Sequence, residues 1–305
     1  MGRSLKERLR KNEWLVISYD YLRELPYRVY KNDEKWIKKW FVKKTGRSLD
    51  LENPLYYNDK LQWLKLNWRD PDAKIAVDKY KVREFVENKI GSKYLNELID
   101  VYGDVKEIEI DVLPKKFVLK GTHGSGFNLI CKDKKEIDWP QARKEMRRWM
   151  RTNYYLYNRE WVYKDIRPRI ICEAFLQDAA GKPPMDYKIF CFNGEPKFVQ
   201  VDIDRFGQHK QNFYDTNWDI LDIEIWCDKD MEMVIEKPKN FDEMLRISRI
   251  LSAQFPHVRV DLYNLDGKII FGELTFFHLS GMAKFRNAEF ESQMGAWLDL
   301  KVDGK

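Results

Sequence analysis

Apolar residues recur along this chain with two different periods. Over residues 79–89 the spacing is helical: Tyr80, Val82, Phe85, Val86 and Ile90 share one face, and Gly91 stops the run. Leu61, Trp63, Leu64 and Leu66 have the same spacing after a turn at Asn53-Pro54, and Asp72 and Asp78 are placed to cap helices nearby. Residues 1–50 read as helical and irregular, with basic and aromatic positions interleaved around Trp36 and Trp40. After Pro114 short strands dominate. Residues 116–119 and 129–131 predict two strands joined by a glycine-rich turn, and 137–157 a helix. Strands follow at 169–173, 187–192 and 196–201, the last two joined by Asn193-Gly194, a strong short-hairpin signal. A helix over 241–253 precedes strands at 258–263 and 268–273, with a turn over 264–267. The pattern predicts an α/β (α+β) chain: a helical N-terminal region (1–105), a small lobe with a glycine hairpin (106–170) and a larger, mostly antiparallel lobe (171–305). A cleft between two such lobes is a natural ligand site.

Composition narrows the class. The 305 residues are 34% charged and 44% hydrophobic, as in a globular chain with ample core. A formal charge of +6 suits an anionic substrate and is too weak for a dedicated nucleic-acid binder. The basic run from Arg143 to Arg151 reads as a solvated helix face. Cys131, Cys172, Cys191 and Cys227 lie far apart, which argues against zinc and against a disulfide framework; Cys172 and Cys191 sit in apolar runs as core thiols. The N-terminus shows no apolar signal region and no run reaches the length of a membrane span, so a cytoplasmic address is expected.

Candidate chemistry lies in two places. Lys120 ends an apolar strand and is followed by Gly121, Thr122, His123, Gly124, Ser125 and Gly126. A lysine and exposed backbone N–H groups suit polyphosphate oxygens, and the glycines permit close approach of backbone to ligand. Neither the Walker pattern nor the dinucleotide glycine fingerprint is present. Far downstream, Arg259 and Asp261 are two apart on one strand, as are Glu273 and Thr275 on the next, so each pair shares a face. Two carboxylates on neighbouring strands repel unless a divalent cation or a basic side chain such as Arg259 or Lys268 lies between them. Lys188, within Asp186-Tyr187-Lys188, occupies a third strand.

The ordered set Asp78-Lys79, Val118-Leu119-Lys120 with its glycine loop, Cys172-Glu173-Ala174-Phe175-Leu176, Asp186-Tyr187-Lys188, Arg259-Val260-Asp261 and Glu273-Leu274-Thr275 resembles the ATP-grasp superfamily. Asn53-Pro54, Asp78-Lys79-Tyr80, Lys120 to Gly126, Arg167 to Ile171, Asp186 to Gly194 and Phe271 to Phe276 resemble its teichuronopeptide-biosynthesis (TupA-like) branch, over roughly 50–300. The resemblance implies two α/β lobes sandwiching ATP behind a short helical region. It implies that Lys79 and Lys120 hold the phosphates, with Lys188 beside them, and that His123, Gly124, Ser125 and Gly126 close over them. Glu173, Ala174, Phe175 and Leu176 would form the hinge against adenine, with Asp178 on the ribose. Asp261, Glu273 and Thr275 would bind Mg²⁺, and Arg259 would stabilise charge on the transferred phosphoryl group together with Lys120 and Lys188. Arg169, Arg205 and His278 would meet an anionic acceptor.

Two features depart from the superfamily pattern: Thr275 stands where asparagine is usual, and the head is too short for the complete α/β domain that precedes many such cores. The implied reaction is carboxylate–amine ligation through an acyl phosphate. The implied substrates are a uronic-acid carboxylate of a surface polysaccharide, or of a sugar-nucleotide or lipid-linked precursor, and an amino acid or other amine. The expected setting is the cytoplasm, peripheral to the inner face of the membrane beside polysaccharide-assembly machinery, with no nucleic-acid partner. A sugar kinase using the same groups is the alternative, and a non-catalytic glycan- or nucleotide-binding component is a second, which the intact Lys120, Asp261 and Glu273 disfavour. Asp202-Ile203-Asp204 matches a glycosyltransferase metal string but follows a strand late in the chain, where cleft-lining carboxylates are the simpler account.

Overall fold

The structure, a computed structural model, describes residues 24–25, 27–178, 181–203, 210–225, 233 and 235–300; Asp204, Arg205 and Cys227 lie outside the described residues. Helix α1 (Asp33–Thr45) starts at Asn32, whose side chain accepts from Lys35 N–H at 2.9 Å, and ends at Gly46 in the left-handed region (φ 81°). α2 (Tyr57–Asn67) and α3 (Pro71–Val77) follow; Asp70, not Asp72, caps α3, because Pro71 supplies the first helical φ. α4 (Val82–Ile90) begins three residues after the expected start. The Asp78 carboxylate accepts from Tyr80 N–H (2.9 Å) and Lys81 N–H (3.3 Å) and holds 78–81 as a turn.

Two antiparallel sheets carry the rest. β1 (Leu98–Tyr102), β2 (Phe117–Gly121), β3 (Asn128–Cys131) and β4 (Ile170–Ala174) form the smaller, in the order β1-β4-β2-β3. This sheet reaches past 106–170 at both ends, into residue 98 and residue 174. β1 escapes a sequence reading because a register shift between Leu98 and Asp100 breaks its alternation. α5 (Trp139–Arg151) covers one face: Ala142, Met146 and Trp149 pack on Phe117, Leu119, Ile170 and Cys172. The expected helix over 137–157 stops at Thr152, whose Oγ1 bonds the Arg148 carbonyl (2.9 Å), and resumes as α6 (Tyr155–Asn158). The basic face of α5 is also not simply solvated, since Arg143 donates to the carbonyls of Val105 (3.2 Å) and Ile108 (2.9 Å).

The larger sheet contains β5 (Met185–Phe192), β6 (Glu195–Ile203), β7 (Lys210–Asp215), β8 (Ile220–Leu221), β9 (His257–Leu265) and β10 (Lys268–Thr275), in the order β10-β9-β5-β6-β7-β8. Asn193 (φ 48°) and Gly194 (φ 82°) make the β5–β6 turn as the sequence predicts, and Asp266-Gly267 (φ 51° and 88°) make the β9–β10 turn. Tyr187, Ile189, Val199, Val201, Val260 and Leu262 form the core face, against α7 (Phe241–Ser252). α8 (Ala288–Trp297) packs on α2. Cys131, Cys172 and Cys191 are buried free thiols. Among the described residues no helix is long and apolar enough to cross a membrane.

Candidate active site

The other face of the large sheet carries a polar cluster beside Phe190 and Phe198, and its register sets side chains in rows. One row runs Gln200–Lys188–Asp261–Glu273 across β6, β5, β9 and β10. A second runs Phe198–Phe190–Arg259–Thr275. The alignment of Glu273 depends on a bulge. Phe271 pairs with Leu262, yet Glu273 pairs with Asp261, so Gly272 is the extra residue. A regular ladder would set Gly272 opposite Asp261 and turn Glu273 to the core face. A Cβ on Gly272 would lie 3.0 Å from the Asp261 carbonyl oxygen, so glycine is what lets the strands close there.

Arg259 organises this corner. Its Nε and Nη2 donate to Asp261 Oδ1 (2.7 Å) and Oδ2 (2.6 Å). Nη2 also lies 3.3 Å from Thr275 Oγ1 and 3.6 Å from Glu273 Oε1, and Nη1 donates to His278 Nδ1 at 2.8 Å. Because arginine only donates, Nδ1 must accept, and His278 is the neutral Nε2–H tautomer. Burial, then the Arg259 charge, pulls its pKa well below the usual value. Burial pulls Arg259 down as well, but Asp261 outweighs it and the guanidinium pKa is raised. Glu273 is pushed up by burial and pulled down harder by Lys79 and Arg259, to about 2.

The opposite wall comes from the small sheet and the turn at 78–81. Val118 pairs with Glu173, so Lys120 and Glu173 share a face, and Lys120 Nζ donates to Glu173 Oε2 at 2.7 Å. Lys79 is fixed by its own N–H on the Thr122 carbonyl (3.1 Å), and its Nζ donates to Glu273 Oε2 at 3.0 Å. Lys79, Arg83, Asn96, Lys120, Glu173 and Gly272 line one cavity between the two sheets. Arg83 and Asn96 escape a sequence reading. Arg83 donates to Glu173 Oε1 (3.1 Å) and to the Asn96 carbonyl (2.7 Å), and its only sequence signal is its place one helical turn after Lys79.

The glycine loop leans on α5. His123 Nε2 bonds the Trp149 carbonyl at 2.8 Å, and a Cβ on Gly124 would strike the Phe127 ring at 2.7 Å and Tyr154 at 2.9 Å. Gly126 takes φ 78°, and Ser125 is exposed beside it.

Several expected site residues lie elsewhere or are otherwise engaged. Lys188 is buried in an ion cluster, bonded to Asp186 and, at 2.5 Å, to Asp202 Oδ2. Arg169 pairs with Asp78 at 3.0 Å and lies over the Tyr80 ring. Glu173 points at Lys120 and Arg83, Ala174 closes β4, and Phe175 and Leu176 continue half-buried outside any strand. Asp178 Oδ1 accepts from Lys182 N–H (2.7 Å) and so caps its own turn.

Asp202 carries a pH prediction. Burial raises its pKa, but Lys188 and the amides of Gln200 (2.8 Å) and Gln211 (3.0 Å) outweigh it and hold it at about 2, below the ordinary 3.8. A depressed carboxylate contributes stability above its unfolded pKa and loses it as pH falls through the folded one. Denaturant unfolding of the protein should therefore lose about 2 kcal/mol from this group between pH ~4 and ~2. Asp202→Asn should lack that segment of the acid profile; an unchanged profile would show that the pair contributes nothing.

The oxygens around Arg259 fit a hard cation. Asp261 Oδ2, Glu273 Oε1 and Thr275 Oγ1 already converge on one positively charged nitrogen. Magnesium prefers such oxygens and usually takes one or two carboxylates together with substrate phosphates. Among the described residues no group of three or more His, Cys, Asp or Glu gathers as a metal cage. The facing cations Lys79, Arg83, Lys120, Lys188 and Arg259 are matched by five carboxylates, Glu173, Asp186, Asp202, Asp261 and Glu273. An entering polyanion and dication would exchange partners with groups already aligned.

A family model described as TupA-like ATPgrasp matches residues 59–299. No curated protein matches the sequence. Solved structures similar to the chain include a D-alanine–D-alanine ligase from Bacillus anthracis complexed with ATP, at 15% identity and TM-score 0.39, covering 66% of this chain and 54% of that one. A D-alanine–D-alanine ligase from Helicobacter pylori is 11% identical at TM-score 0.44, with 81% and 68% covered. An N5-carboxyaminoimidazole synthase from Aspergillus clavatus, in complex with ADP and 5-aminoimidazole ribonucleotide, is 12% identical at TM-score 0.41, with 80% and 58% covered. The chain thus spans just over half the length of the Bacillus ligase and of the synthase.

Proposed function

The chain belongs to the TupA-like ATP-grasp family, and from that premise we propose that it is an ATP-dependent carboxylate–amine ligase acting through an acyl phosphate. One observation carries the reading. Lys79, Lys120 and Glu173 line a single cavity, Lys79 reaches from it to Glu273, and Asp261 and Arg259 adjoin Glu273 on the same sheet face. That grouping suits a polyphosphate and a divalent cation at once.

In the proposed reaction a substrate carboxylate oxygen attacks the γ-phosphorus of ATP. The bond to the bridging oxygen breaks, ADP leaves, and an acyl phosphate remains. An amine nitrogen then attacks the acyl carbon, phosphate departs, and the nitrogen loses a proton to give the amide. Lys79 and Lys120 exchange their carboxylate partners for phosphate oxygens, and the loop around Gly124 and Ser125 shields the transfer from water. Arg259, held by His278, offers its guanidinium to the charge that develops on the transferred group. Asp261, Glu273 and Thr275 are the residues that would hold Mg²⁺, which when bound neutralises phosphate oxygens. Arg83 keeps Glu173 in place when Lys120 leaves it for phosphate.

We assign the carboxylate to a uronic acid of a surface polysaccharide or its precursor, and the amine to an amino acid or related amine. The family motifs support this. The test is purified protein with Mg-ATP, uronic-acid glycans and hydroxylamine as trapping amine. ADP release with a glycan hydroxamate is the expected result. ADP release with a stable phosphosugar and no hydroxamate would replace ligation by a sugar kinase.

A further inference from the structure

The positive charge of this chain is not spread over it. Residues 1–47 hold 14 Lys and Arg against 6 Asp and Glu, a net +8, while the remaining 258 hold 41 against 43, a net −2. The structure shows how the described part of that segment is presented. On α1, Trp36, Ile37 and Phe41 turn inward and are buried. Lys35, Lys38, Lys39, Val42 and Lys43 occupy the opposite, exposed arc, and Val29, Tyr30 and Lys31 are exposed just before the helix. At 100° per residue Val42 falls near the centre of that arc, with the lysines on either side.

We propose that the exposed arc of α1, with Val29 to Lys31 before it, docks the protein on a membrane surface rich in anionic phospholipid. Complementary charge is the first argument, since a strong asymmetry of charge along a chain marks a surface for an anionic partner. The second is shape and chemistry. The basic arc lies along a helix about 20 Å long, and Val29 (69% exposed) and Val42 (49%) stand out among the lysines. A headgroup layer accepts both kinds of side chain. A polyanionic sugar chain would instead look for open aromatic faces; Trp36 is buried, and Lys39 and Lys43 lie over the rings of Tyr30 and Trp40. The mode is electrostatic rather than insertional, because the apolar face of α1 is already used inside the protein. Binding is therefore sensitive to salt and falls off within a Debye length. The inference does not rest on the ligase reading, since docking needs no nucleotide.

The experiment is co-sedimentation of the full chain with vesicles of phosphatidylglycerol and phosphatidylcholine, or of phosphatidylcholine alone, at low and high salt. Binding is expected to the mixed vesicles only, and to be released by salt. A variant carrying Lys35→Gln, Lys38→Gln, Lys39→Gln and Lys43→Gln should bind about a hundredfold or more weakly, at roughly fivefold per lysine. A matched variant with Gln at the exposed Lys132, Lys182, Lys239 and Lys268 should bind like the parent. Thermal unfolding of both variants establishes that they are folded. The proposal fails if the parent ignores anionic vesicles, if the α1 variant binds as well as the parent, or if soluble polygalacturonate captures the parent more tightly than the vesicles do.

Discussion

Glu273→Gln is expected to lower nucleotide turnover by about a thousandfold while the protein stays folded. The substitution keeps size and shape, and the amide oxygen still accepts from Lys79, so packing at this partly buried position is undisturbed. What disappears is one of two carboxylates facing the same cation position, opposite Asp261 in the ladder. A neutral amide neither competes for a dication nor offsets Lys79 and Arg259. The variant should consequently need far more Mg²⁺ for any remaining activity. Steady-state ADP release across a Mg²⁺ titration, with thermal unfolding in parallel, measures both halves. Parental turnover at ordinary Mg²⁺ would remove Glu273 from the cation site.

Arg259→Ala should destabilise the protein by about 3–5 kcal/mol and abolish turnover as well. Asp261 is buried, and the fork from Arg259 satisfies both its oxygens. Removing the arginine leaves a carboxylate in a site that disfavours charge, and leaves His278 Nδ1 without its donor. Arg259→Lys keeps the charge but cannot make the fork, so an intermediate loss is expected. Pairing Arg259→Ala with Asp261→Asn removes the stranded charge and should return much of the stability with none of the activity. Urea unfolding of the three variants decides it. A single-variant loss below about 1 kcal/mol would mean that the fork does not hold this corner.

Both expectations rest on groups whose identity was legible early and whose arrangement was not. The hairpin at Asn193-Gly194 was readable because those residues accept positive φ, and the α7 segment because its apolar spacing is helical. β1 was not, since a register shift spoils the alternation that a strand reading depends on. The helix over 137–157 divides at Thr152, where a hydroxyl bonding back to the Arg148 carbonyl accompanies the end of α5. Asp178 reads as a free polar contact until its turn with Lys182 shows it engaged at home. Arg83 carries no motif at all; it matters because α4 packs where Glu173 and the Asn96 carbonyl wait for a donor.

From the sequence alone come the residue types that the chemistry needs: lysine at the end of an apolar strand, glycines after it, arginine and two carboxylates at strand parity. Those follow from local periodicity and side-chain chemistry, which a linear reading contains. Tertiary structure decided which of them face one another. Asp261 and Glu273 share a face only because Gly272 forms a bulge, and a one-residue slip there reverses which side Glu273 takes. Likewise Lys120 sits with Glu173, and Arg259 with His278, because register and burial choose partners among many candidates. Such choices turn on spacing of a few ångströms between strands far apart in the chain, and local sequence does not encode that distance.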